Sequence, residues 1–251
     1  MRTTCIMNLK GGVAKTCTAI HMGAILSQEY GKRVLLIDAD SQCNLTDFFE
    51  ADSDVGSLYA AITQADPSVA VCNIQNTGLA GLDILAASDD LMELDLSQLR
   101  TGKVYPAVIR DMVAALAAKK RYDFVLIDCP PAFIATGAAA LMAADDVLIP
   151  IKLDAFSLKG MKRIMKQISN MQRINPKLKV AGILPTMWYN SRHIRDAEAV
   201  LCDSILHVFR HIRRSPKVDE MTFSQKALTC PHSGSEIDYR RFVAEYMEGA
   251  V

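Results

Sequence analysis

The chain has no uninterrupted apolar run near the ~18–20 residues that a bilayer-spanning helix needs. It has no C-x-x-C pair either. Its seven cysteines, Cys5, Cys17, Cys43, Cys72, Cys129, Cys202 and Cys230, are scattered and odd in number. That pattern argues against a disulfide framework or a structural zinc site and fits a reducing cytoplasm. The N-terminal apolar run is too short for a secretory leader and leads straight into a glycine turn. No linker, repeat or low-complexity tract divides the 251 residues, so one domain spanning 1–251 is expected. Acidic residues are unevenly missing: none occurs between Asp154 and Asp196, a window that holds Lys162, Arg163, Lys166, Arg173, Lys177 and Lys179 among its cations. Residues 1–158 carry 12 Lys/Arg against 19 Asp/Glu, a net of −7, and residues 159–251 carry 16 against 9, a net of +7. A basic half on a chain of zero net charge suggests a polyanion partner.

Half of the residues are hydrophobic, enough for a packed core. The stretch that organises them is Lys10-Gly11-Gly12-Val13-Ala14-Lys15-Thr16, after the apolar run Thr3 to Met7 and before a helical run from Cys17 to Tyr30. Strand, glycine turn, lysine, hydroxyl and helix is the layout of a phosphate-binding loop. Glycines let backbone N–H groups turn onto an anion, and the helix N-terminus adds partial positive charge. In such a loop Lys15 neutralises the β- and γ-phosphates and the Thr16 hydroxyl ligates Mg²⁺. Against the pattern G-x-x-x-x-G-K-[ST], Leu9 and Ala14 replace the two glycines. At position 14 a side chain would narrow the loop or strain a backbone that needs positive φ.

Two short β-branched-rich runs, Arg33 to Asp38 and Phe124 to Asp128, read as buried parallel strands. Each ends in a carboxylate, where α/β proteins place ligands: Asp38 with Asp40 two residues on, and Asp128 ahead of Cys129-Pro130-Pro131. The second is a Walker B pattern in which Asp128 holds Mg²⁺ through water. Further strands are expected at Val69 to Ile74, Leu82 to Ala86, Asp146 to Ile151 and Val180 to Leu184. Helices are expected at Val55 to Ile62, after Ser88, at Val104 to Ala118, Ser157 to Arg173, His193 to Val208 and Ile237 to Met247. Arg210 to Val218 reads as basic and partly extended. The alternation predicts an α/β fold, a mostly parallel sheet with helices on both faces.

Lys10 adds a second lysine to the loop, and K-G-G-x-x-K-[ST] resembles the deviant Walker A motif of the ParA/MinD/Soj family. D-A-D-S-Q-C-N at 38–44 is similar to that family's D-x-D-P-Q-G-N, with Ser41 for Pro and Cys43 for Gly. D-C-P-P at 128–131 matches its D-[TC]-P-P. V-L-I-P-I-K-L-D-A-F-S-L-K-G at 147–160 resembles its V-I-I-P-x-x-x-x-x-F-A-L-x-G, and residues 212–220 its I-P-R-N-V-R-L-S-E. The resemblance covers nearly the whole chain and implies a ParA-type ATPase, with ATP and Mg²⁺ as cofactors, that partitions plasmids, chromosomes or mobile elements. It implies a nucleotide site of Gly11, Gly12, Val13, Ala14, Lys15, Thr16 and Cys17, metal support from Thr16, Asp38 and Asp128, and water positioning by Asp40. Lys10 would reach across an ATP-dependent homodimer to the partner's nucleotide, delivering charge to the phosphoryl transition state. Non-specific double-stranded DNA would be held by Arg192, Arg195, Arg213, Arg214 and Lys217, with Arg213 replacing a proline that usually lies near the adenine. A ParB-type adaptor would stimulate slow hydrolysis, and the protein would lie in the cytoplasm on the nucleoid. The acidic tail at 245–251 offers no basic amphipathic helix for a membrane. A MinD-like positioning ATPase and a DNA-binding regulator with a weak nucleotide site stand as alternatives.

Overall fold

The computed structural model describes residues 1–54, 56–101, 107–154, 157–227 and 234–249. In chain order these form β1 Arg2–Ile6, α1 Lys15–Gln28, β2 Val34–Asp38, α2 Asn44–Phe48, α3 Leu58–Gln64, α4 Pro67–Cys72, β3 Gln75–Asn76, β4 Leu82–Leu85 and α5 Leu91–Thr101. There follow α6 Ala107–Ala118, β5 Phe124–Asp128, α7 Ala135–Ala143, β6 Asp146–Lys152, α8 Ser157–Gln172, β7 Lys179–Thr186, α9 Arg192–Cys202, α10 Pro216–Ser224 and α11 Gly234–Glu248. Val55, residues 104–106 and residues 155–156, which fall in expected helices or in the 147–160 motif, lie outside the described residues.

The strands form one sheet in the order β3-β4-β2-β5-β1-β6-β7. All pairs are parallel except β3 with β4. Side chains alternate along each strand between two apolar cores. Cys5, Leu35, Ile37, Val125 and Ile127 enter the core covered by α3 to α9. Ile6, Val34, Leu36, Phe124 and Leu126 enter the core covered by α1, α2, α10 and α11. Burial on both faces explains why β2 and β5 read as continuous apolar runs. In the register, Ile6 of β1 and Asp38 of β2 both lie opposite Asp128 of β5, so three strands end level and their loops open side by side.

The expected strand at Val69 to Ile74 is instead helix α4. Asp66 caps it, accepting from the Ser68 N–H at 2.8 Å, and Pro67 sits in the first turn, where its missing N–H costs nothing. The helix expected to run to Val208 stops at Cys202. Ile205 would extend the Ile194–Ala197–Leu201 spacing but stands fully in solvent, and Val208 bridges Ile183 at the sheet edge. Ser215 and Pro216 start α10 inside the stretch expected to be partly extended: Ser215 Oγ accepts from the Lys217 N–H at 3.3 Å.

Candidate functional site: a phosphate loop between two cavities

The loop after β1 is anchored to β6 and to β7. Asn8 donates through Nδ2 to the Pro150 carbonyl at 2.7 Å and accepts the Lys10 N–H at 3.0 Å. Thr186, at the end of β7, donates to the Val13 carbonyl at 3.1 Å, and the Val13 side chain is fully buried. Gly12 has φ +66° and Ala14 has φ +63°, both left-handed. Ala14 thus takes the conformation that its family's glycine suits. Its carbonyl accepts the first bond of α1, from the Thr18 N–H at 3.0 Å. Cys43, the other replacement of a family glycine, is also left-handed at φ +54°. Both substitutions keep the turn and carry the strain of a Cβ, about 1 kcal/mol each.

Gly11 through Cys17 line a cavity of about 510 Å³, together with Asp40, Gln42, Asp47, Pro131, Met187 and Gln225. Lys15, the first residue of α1, is buried. Thr16 Oγ1 donates to Asp128 Oδ2 at 2.6 Å. Asp128 Oδ1 is buried and, among the described residues, has no protein partner. Burial first, then the Asp38 carboxylate, pushes Asp128 up to about 8, while the Thr16 hydrogen bond and Lys15 oppose the rise. Asp38 is pushed up to about 6, chiefly by burial. A buried carboxylate oxygen without a donor, beside a hydroxyl and a second carboxylate, suits a hard divalent cation. No group of three or more His, Cys, Asp or Glu side chains among the described residues could hold a metal alone. Mg²⁺ typically takes one or two carboxylates and completes its shell with phosphate and water, which fits this set.

Asp38 and Asp40 differ in their work. Asp38 Oδ2 accepts from Thr46 N and Oγ1 at 2.9 and 2.8 Å, and Oδ1 from the Asp40 N–H at 3.1 Å. Asp38 therefore shapes the turn and would have only its remaining lone pairs to offer a cation. Asp40 Oδ1 accepts the Gln42 N–H at 3.1 Å, and Asp40 faces the cavity. Lys10 projects from the loop, partly exposed, and pairs with Asp154 beyond β6. Burial, reinforced by nearby aspartates, pushes the Cys17 and Cys43 thiols up to about 11 and about 12, which disfavours the thiolate.

A second cavity of about 310 Å³ shares Ala14 and Met187 with the first and is otherwise lined by residues such as Thr186, Ile212, Arg213, Arg214 and Tyr239. Its wall is a pair of segments joined in parallel, Trp188 N–H to the Ile212 carbonyl at 2.9 Å and Arg214 N–H to the Trp188 carbonyl at 2.8 Å. The Trp188 indole stacks on His211, centroids 4.0 Å apart, and both donate to Glu198 of α9 or share a proton with it. All five expected DNA contacts, Arg192, Arg195, Arg213, Arg214 and Lys217, are exposed. Arg192 lies 3.8 Å from Asp196, and Arg195 bonds Asn190. Arg213 is committed elsewhere. Its Nε and Nη2 donate to Asp238 of α11 at 2.7 and 2.8 Å, its backbone N–H at 3.0 Å, and Nη2 also to the Gly234 carbonyl. Sequence reasoning missed Met187, Thr46 and Gln225. Thr46 and Gln225 carry no motif, and the clue at Met187, φ +52°, is conformational.

A family model described as AAA domain matches residues 1–180. The chain is 35% identical to the chromosome partitioning protein ParA of Caulobacter vibrioides over 195 residues, 75% of this chain and 70% of that protein. A Mycobacterium smegmatis structure described as cobyrinic acid a,c-diamide synthase with bound ATP analog and magnesium superposes with a TM-score of 0.81 at 32% identity, covering 99% of this chain and 95% of that one. Apo McdA from Cyanothece shares the fold, with a TM-score of 0.84 at 24% identity over 98% of this chain and 99% of the other. With its two-lysine phosphate loop set against the Walker B strand, the chain belongs to the ParA/MinD family of P-loop ATPases.

Proposed function

We propose that the protein is a DNA-partitioning ATPase that dimerises on Mg·ATP and grips duplex DNA only in that state. The observation that carries this reading is the shared wall. Ala14 and Met187 border both cavities, and the segment that bears Arg214 and leads to Lys217 closes the second one. Filling the nucleotide site would thus bear directly on the basic segment.

In this reading the backbone of 11–17 and Lys15 hold the phosphates, and Thr16 and Asp128 hold Mg²⁺, with Asp38 behind them. These residues would hold Mg²⁺, which would supply charge neutralisation at the phosphates. Asp40 orients the attacking water. Lys10 exchanges Asp154 for the partner subunit's nucleotide. Arg192, Arg195, Arg214 and Lys217 contact the DNA backbone, and Arg213 positions their segment through Asp238. Two subunits joined by ATP present two basic patches at once, raising affinity through effective concentration. Binding is then indifferent to sequence and steeply weakened by salt. A ParB-type adaptor accelerates the slow hydrolysis that releases the dimer from the nucleoid.

The test is a mobility-shift titration of random-sequence duplex with and without ATP, on the wild type, on Lys15→Ala, and on Arg192→Glu/Arg214→Glu/Lys217→Glu combined. ATP-dependent binding should vanish in both variants. The lysine variant should also lose ATP binding, and the triple variant should keep basal turnover. Equal binding with and without ATP, or binding untouched by the triple change, would overturn the proposal.

A further inference from the structure

We propose that the solvent face of α8 is a second duplex-DNA contact surface, distinct from the basic residues between 192 and 217. The inference rests on the partitioning reading and extends its footprint. The apolar side of α8, Met161, Ile164, Ile168 and Met171, is buried in the core beneath the helix. The opposite side exposes Lys162, Arg163 and Lys166, and Arg173, Lys177 and Lys179 continue the ridge past the end of the helix toward and into β7. Among the described residues none of these six cations forms an ion pair.

Lys162 and Lys166 lie one helical turn apart, and Arg163 is three residues from Lys166, so like charges crowd one face and repel. A polyanion laid along the ridge relieves that repulsion. From Lys162 to Arg173 the stripe runs roughly 17 Å at 1.5 Å per residue, about the length of five base pairs of B-DNA. Phosphate contacts need only cations with the reach of Lys and Arg. A lipid surface would also need several apolar side chains to insert, and among the described residues of the ridge Ile174 alone is a large apolar side chain exposed to solvent. Ile194 and Leu201 of α9 pack into the same core as α8, so the ridge lies on the sheet face that also carries Arg192 and Arg195.

The experiment compares wild type with Lys162→Gln/Lys166→Gln/Arg173→Gln in ATP, measuring affinity for random-sequence duplex over a salt series and binding to phosphatidylserine vesicles. Three lost phosphate contacts should make the log–log salt slope shallower by up to about 2.7. Affinity should fall tenfold or more at moderate salt while DNA-free ATP turnover stays at the wild-type rate. An unchanged slope and affinity would overturn the inference alone. So would a variant that loses vesicle binding but keeps duplex binding, which would make the ridge a membrane contact. A wild type that binds no duplex in ATP would instead overturn the partitioning reading, and this inference with it.

Discussion

The Thr16 hydroxyl donates to Asp128 Oδ2 at 2.6 Å, tying the first turn of α1 to the last residue of β5. The bond holds the Walker B carboxylate with its other oxygen, Oδ1, turned to a place where no protein donor reaches it among the described residues. In the proposed site position 16 would have two tasks, to orient Asp128 and to offer a cation its own oxygen. Thr16→Ser keeps both and should bind Mg·ATP within a few-fold of wild type. Thr16→Ala loses both, and nucleotide affinity in that variant should no longer respond to Mg²⁺. Calorimetric titration with ATP, with and without Mg²⁺, checks this.

Asp40 faces the nucleotide cavity but neither anchors the phosphate loop nor pairs with Lys15 among the described contacts. Asp40→Ala should bind ATP nearly as well as wild type and still dimerise. Hydrolysis should fall by about 10²-fold or more, the usual scale for losing a group that orients the nucleophile. Single-turnover assays beside size-exclusion chromatography would separate the two effects.

Ala14 is left-handed, and the strain is that of its Cβ. Ala14→Gly should raise stability by up to about 1 kcal/mol, because relief of strain is partly offset by a more flexible unfolded chain. For a chain of this size that is ~2–4 °C in Tm. Ala14→Val, β-branched at positive φ, should be clearly less stable than wild type. Urea denaturation of all three proteins would decide; a valine variant as stable as wild type would contradict the left-handed backbone.

His21 is buried in α1, stacked at 4.0 Å on Tyr239, and burial lowers its proton affinity to about 4. The unfolded chain protonates this imidazole first, near 6.5. Stability is therefore full above that pH and is lost as the pH falls through 4. The loss should reach about 2 kcal/mol by pH 5. His21→Phe keeps the stack without the titration, so its stability relative to wild type should improve steadily between pH 7 and pH 5.

Arg213 and Arg214 are adjacent but do different work. Arg213→Ala strips Asp238, which is buried, of its guanidinium and should cost about 2 kcal/mol. Arg214→Ala should change stability by less than ~0.5 kcal/mol and weaken duplex binding. Thermal melts paired with the mobility shift distinguish the roles.

The sheet was legible because β2 and β5 are buried on both faces and each ends in an aspartate. The phosphate loop was legible because its chemistry needs particular residues at fixed spacing. What escaped had local causes. Val69-Ala70-Val71-Cys72 has strand-like composition, and only the cap at Asp66-Pro67 betrays the helix. Ile205 continues an apolar spacing that the fold does not use. The double duty of Asp38, shaping a turn through Thr46, depends on a residue eight positions away with no motif of its own. The commitment of Arg213 depends on Asp238, 25 positions on.

Trp188 is the chain's single tryptophan, and it follows Met187, which borders both cavities. Its indole lies flat on His211 and is tethered to α9 through Glu198. The molecule thus carries its own optical gauge, set between the cavity of the loop after β1 and α9. Selective indole excitation reads that one position without a label, so stopped-flow emission can time the arrival of ATP and of DNA separately, in unmodified protein.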